Sequence, residues 1–134
     1  MKKLFLIFTI LFSTLWGMNA QSRVGHSIAD IKTAFSAPSY QLLDGTTNDG
    51  QYYIYINTTH AVVFYYFNEY NQCNMSVILP KDQGDLNYYV EKYNSQYVIK
   101  DNQNWTAYLE GGVNNIKLMY LDNGGYAFYW TAAD

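Results

Sequence analysis

Cysteine is nearly missing from this chain: Cys73 is the only one among 134 residues, which excludes an intramolecular disulfide. Its place in an alternating apolar run reads as a buried small hydrophobe. An intermolecular bridge or a reactive thiol are the functional alternatives. Histidine is as scarce, with only His26 and His60. No H-x-x-x-H, no C-x-x-C and no clustered carboxylates accompany them, so no transition-metal site is expected and no cofactor motif is present. A Cys73–His60 nucleophilic pair would need the two on adjacent strands. Cys73 reads as inward-facing and His60 as a loop tip, which argues against it.

Long apolar runs are missing too, with one exception. Residues 4–12 are almost continuously apolar and follow a positive head, Lys2 and Lys3. A membrane-spanning helix needs about 20 such residues, and Ser13 and Thr14 dilute this run before that length. Trp16-Gly17-Met18-Asn19-Ala20 then leads to a cleavage point before Gln21. The pattern is that of a secretory signal peptide over residues 1–20. Met18 is larger than usual three residues before the cut, and the lack of cysteine there excludes lipidation. The expected product is a domain without a membrane span, periplasmic or secreted, covering residues 21–134.

Basic residues are few. Without Lys2 and Lys3 the remaining 114 residues carry six Lys and Arg against eleven Asp and Glu, a formal charge of −5. A nucleic-acid binder needs a basic stripe, and none is present. The same sign disfavours anionic lipid surfaces. The length fits one domain, and a core of that size can support the fold without disulfides.

Tyrosine is what the chain has in excess, with 15 in all and every one after residue 20. It suits strands and combines an apolar ring with a polar hydroxyl. The hydrophobic spacing predicts two helices. Ser27-Ile28-Ala29-Asp30 reads as a capping-box start, with Ile28, Ile31 and Phe35 on one face and Pro38 as the stop. The second helix is expected to start near Asp85, where a cap role explains the aspartate, with Leu86, Tyr89, Val90 and Tyr93 as its stripe.

The rest alternates as strand. Tyr52, Ile54 and Ile56 oppose Tyr53 and Tyr55. Residues 61–67 are apolar on both faces, the pattern of a central strand covered on both sides. Cys73, Met75, Val77 and Leu79 oppose Asn74, Ser76 and Ile78, and Pro80 ends the run. Three further strands follow, carrying Trp105, Ala107 and Leu109, then Ile116, Leu118 and Tyr120, then Tyr126, Phe128 and Trp130 on one face. Gly111-Gly112 and Asn123-Gly124 join them, the latter as a type I′ hairpin turn. Short segments at residues 40–43 and 97–100 add strand edges. The halves thus read as helix plus three strands, twice, with slight residue identity between them. The expected fold is α+β, an antiparallel sheet with both helices packed on one face.

Gly25-His26-Ser27-Ile28-Ala29-Asp30-Ile31-Lys32, followed by Phe35, Pro38 and strands, resembles the opening of small outer-membrane-assembly lipoproteins. It is also similar to the repeated units of β-lactamase-inhibitor-like proteins. The likeness covers residues 25–79 and implies a helix on a small antiparallel sheet that works by binding other proteins. The lipidated cysteine of the lipoproteins is missing here. The Ala20-Gln21 junction and the Tyr- and Asn-rich body resemble small exported proteins of Bacteroidota.

Catalytic chemistry finds little support. Glu69, Asp82, Asp85, Glu91, Glu110 and Asp122 are scattered, whereas a glycosidase needs two carboxylates facing across a cleft. The glycine pairs join strands, and a phosphate cradle needs a helix start behind it. The Asn-x-Ser/Thr triplets at Asn57, Asn74 and Asn104 read as accidental. The tyrosines are the functional candidates. With Cys73, Met75, Val77 and Leu79 inward, Tyr53, Tyr55, Tyr108 and Tyr129 face outward. Tyrosine rows also occur for cross-strand pairing alone, and a register slip of one residue inverts the assignment. The leading expectation is a non-enzymatic binding module for a protein partner in the envelope or outside the cell. The alternatives are a glycan-binding domain using the same tyrosines, or a hydrolase without a recognisable motif.

Overall fold

The computed structural model describes residues 23–36 and 40–133. The expected signal peptide and the proline stop at residue 38 lie outside the described residues. The chain runs α1 (Ile28–Ala34), β1 (Gln41–Thr46), β2 (Tyr52–Asn57), β3 (Ala61–Phe67), β4 (Cys73–Pro80), α2 (Gln83–Gln96), β5 (Val98–Asp101), β6 (Asn104–Leu109), β7 (Gly112–Tyr120) and β8 (Tyr126–Ala132). All eight strands form one antiparallel sheet in the order β1-β2-β3-β4-β8-β7-β6-β5. The fold is α+β, with the sheet dominant and both helices packed against it. Among the described residues no helix is long and apolar enough to cross a membrane.

Each half is a helix followed by a four-stranded meander, one strand more than the spacing predicts. The extra strands are the outermost ones, β1 and β5, grown from the short segments at residues 40–43 and 97–100. They are too exposed and short to show a clear alternation. The halves join through their last strands: β4 and β8 pair antiparallel, with Val77 opposite Tyr129. The strand order is therefore symmetric about the β4–β8 pair.

Local chemistry explains the helix starts. At α1 the Asp30 amide donates to Ser27 Oγ at 3.1 Å and the Ser27 amide to Asp30 Oδ2 at 3.4 Å, a reciprocal capping box. Ahead of it, the Gly25 amide donates to the Cys73 carbonyl and the Cys73 amide to the His26 carbonyl, both at 2.7 Å, so this segment is laced to the start of β4. The second helix starts earlier than expected. Asp82 is its cap, accepting from the Asp85 amide at 2.8 Å. Asp85 sits in the first turn, free to use its carboxylate elsewhere.

The core lies between the helices and one face of the sheet. Ile31 and Phe35 of the α1 region and Leu86, Tyr89 and Tyr93 of α2 pack on Ile54, Ile56, Val63, Tyr65, Ile78, Ile116, Phe128 and Trp130. Tyr93 is at its centre, with its ring 5.0 Å from Phe128, 5.6 Å from Trp130 and 5.8 Å from Trp105. Trp105 sends its indole N–H to Asn94 Oδ1 at 2.8 Å. Many of the aromatics are therefore core residues with a satisfied polar atom.

Three expectations are corrected. Among the described residues β3 is covered on one face only: Ala61, Val63, Tyr65 and Phe67 are buried, while Val62, Phe64 and Tyr66 lie half-buried on the face without helices. Its outward apolar residues are shielded by neighbouring rings rather than by a second layer. β4 does not alternate throughout. Phe67 pairs with Cys73 but Tyr66 with Met75, a bulge that makes Asn74 the extra residue. Cys73, Ser76 and Ile78 therefore point inward, and Met75, Val77 and Leu79 point to the helix-free face. The turn at Asn123-Gly124 is not type I′, since only Gly124 has positive φ, at 86°. Gly124 N donates to the Leu121 carbonyl at 3.0 Å and Leu121 N to the Gly125 carbonyl at 2.9 Å, a three-residue loop with one left-handed position. The same hydrogen-bond pattern recurs around Gly50 and Asn71, whose φ values are 89° and 60°.

Candidate functional site

The helix-free face is built by cross-strand register. One rung reads Leu43, Tyr55, Phe64, Val77, Tyr129, Lys117 and Asn104 from β1 to β6. The next reads Gly45, Tyr53, Tyr66, Met75, Thr131, Asn115 and Thr106. The β2–β3 part of these two rungs is aromatic and the β6–β7 part polar. That division is the main feature of the surface.

On the aromatic side four rings form a plateau. Tyr55 stacks on Phe64 with centroids 5.2 Å apart and planes at 20°, and Phe64 on Tyr66 at 6.2 Å and 16°. Tyr53 lies within 5.7–6.3 Å of Phe64, Tyr66 and Tyr55. All four are half-buried, because each shields the next. Burial raises the pKa of the Tyr66 hydroxyl, and the nearby Tyr129 and Tyr53 hydroxyls raise it further. Gly45 on the edge strand lets the Tyr53 ring lie flat across it: a Cβ there would stand 2.6 Å from Tyr53 Oη. A glycine inside a strand signals such close approach, and it is the one mark in the sequence that could have placed this ring.

Of the tyrosines expected to face outward, the structure brings Tyr53, Tyr55 and Tyr129 onto one surface, with Tyr129 joined to the plateau through Val77. Tyr108 is on the same face but apart. It pairs with Val113, four residues along β6 from the Asn104 rung, and is 65% exposed. Phe64 and Tyr66 were missed because β3 looked covered on both sides. Val77 is buried although it points to this face, walled in by Phe64 and Tyr129 on the flanking strands.

On the polar side lies an open groove of about 610 Å³. Tyr129 and Met75 form its apolar wall, and Asn104, Asn115, Lys117 and Asp101 its polar rim. The rim is organised by Asp101 Oδ1, which accepts from the Asn104 side chain at 2.9 Å and the Gln103 amide at 2.8 Å. Those bonds hold the Asp101 carboxyl below the usual carboxylate range.

Elsewhere, His60 Nδ1 and Asp85 Oδ1 are 2.7 Å apart and the imidazole stacks on Tyr88 at 4.6 Å, tying the β2–β3 tip to the start of α2. Cys73 is buried, and burial pushes its thiol up to about 11. His60 precedes the first residue of β3, while Cys73 of β4 pairs with Phe67 at the other end of that strand, so they cannot act as a pair. Among the described residues no group of three or more His, Cys, Asp or Glu is placed to hold a metal ion.

The fold and this face define a single-sheet α+β architecture with one tyrosine-rich surface that no helix among the described residues covers. Comparison of the chain with protein-family models, curated proteins and solved structures returns no match.

Proposed function

We propose that this chain is a non-enzymatic, exported binding module that contacts a protein partner, in the cell envelope or outside the cell, through the helix-free face of its sheet. The observation that supports this reading is the plateau of Tyr53, Tyr55, Phe64 and Tyr66 on a face that no helix among the described residues covers. Rings already held by their neighbours lose little side-chain freedom when a partner arrives. Each offers apolar area, and the three tyrosines a hydroxyl for the rim, the combination enriched at protein interfaces.

The test compares the native chain with Tyr53→Ser/Tyr66→Ser and with Tyr108→Ser. A partner is captured from envelope and secreted fractions, and its affinity for each variant is then measured. The double variant is expected to bind at least about tenfold more weakly, because losing central aromatic anchors costs about 2 kcal/mol or more. Tyr108→Ser is expected to bind like the native chain. Full affinity in a folded double variant overturns the reading.

A further inference from the structure

We propose that the polar-rimmed groove beside Tyr129 is a carbohydrate site, taking a short oligosaccharide with one pyranose ring seated on the tyrosine. This site adjoins the protein-binding plateau on the same face, one strand beyond Val77 and Met75, and its test is independent of that reading. Its volume, about 610 Å³, lies within the roughly 300–1,000 Å³ typical of small-molecule sites.

The choice of ligand class follows from the lining. A sugar ring presents a face of C–H bonds and an edge of hydroxyls, each of which both donates and accepts. Tyr129 supplies one half-buried aromatic surface for the C–H face. Around it the register sets Lys117 and Asn104 on its own rung, and Thr131 and Asn115 on the next. Lys117 only donates, Asp101 only accepts, and the amides and threonine do both. A rim mixing these types, beside an apolar floor, matches a polyhydroxylated ligand with one C–H face. One carboxylate stands among two ammonium groups, Lys100 and Lys117, so the rim lacks the strong positive charge that a phosphate ligand would need.

The strands beneath the site are held in place. Tyr129, Lys117, Asn115 and Thr131 project from inner strands of the sheet, paired on both sides. Asn104 is fixed by its bond to Asp101. Preorganised polar groups on strands are the economical way to bind a ligand as well hydrated as a sugar, because little ordering remains to be done.

The experiment is a titration of the isotope-labelled chain, followed by amide chemical shifts, with cellotriose, maltotriose and chitotriose as probes to millimolar concentration. The expected result is saturable shifts at Asn104, Asn115, Lys117 and Tyr129 with at least one of them. Tyr129→Phe is expected to keep the binding, and Tyr129→Ala to weaken it at least about tenfold. Should Tyr129→Ala unfold, Asn104→Leu on the open rim serves instead and is expected to weaken binding in the same direction. No saturable shift with any of the three sugars overturns the proposal. So do shifts confined to Tyr53, Tyr55, Phe64 and Tyr66, and so does undiminished binding by folded Tyr129→Ala or Asn104→Leu.

Discussion

The indole N–H of Trp130 on β8 donates to the Tyr93 hydroxyl of α2 across 3.2 Å, with both residues fully buried. The bond joins helix to sheet at the centre of the core. Tyr93→Phe keeps the ring and removes the acceptor, leaving a buried donor unpaired. Chemical denaturation is expected to show a loss of about 1–3 kcal/mol. An unchanged midpoint would mean that the indole finds another acceptor.

Alkali is expected to weaken the fold in a defined window. Burial raises Cys73 from 9.0 to about 11, and burial, with Tyr88 and Asp85 adding, raises Tyr89 from 10.0 to about 12. Both groups are held neutral when folded and ionise earlier when unfolded. The stability they contribute is therefore complete below about pH 9 and lost as the pH rises through 9–12. Cys73→Ala is expected to flatten the lower part of this decline in melting temperature. The native thiol should stay inert to thiol reagents near neutral pH until the chain unfolds.

The β7–β8 turn depends on one residue. Gly124 has φ of 86°, which a β-branched side chain resists, whereas Gly111 lies in open space without positive φ. Gly124→Val is expected to cost about 1 kcal/mol or more, and Gly111→Ala to be close to neutral. Equal melting temperatures for the two variants would contradict the three-residue loop.

The His60–Asp85 contact is expected to be modest, because His60 is 46% exposed. A double-mutant cycle with His60→Ala and Asp85→Asn should give a coupling of about 0.2–1 kcal/mol that shrinks as salt is added. A coupling that salt leaves unchanged would point to the Tyr88 stack as the main contribution of His60.

The sequence alone carried the element types, because each depends on neighbours a few residues away. Ser27 and Asp30 form the α1 cap from adjacent positions, and the stripe Leu86, Tyr89 and Tyr93 recurs at helical spacing. Alternation likewise placed Ile54 and Ile56 opposite Tyr53 and Tyr55, and Phe128 and Trp130 opposite Tyr129. Tertiary structure decided the rest. The bulge at Asn74 turned Met75, Val77 and Leu79 outward, and no local pattern announces an extra residue before its partner strand is known. The outward side of β3 looked like core because apolar residues read the same whether a helix or a neighbouring ring shields them. The groove needed most of all. Tyr129, Lys117 and Asn104 are far apart in the chain and share a rung only through the pairing of β8 with β7 and β7 with β6. A surface assembled by long-range register has no signature in a single stretch of sequence, since its parts become neighbours only when the sheet forms.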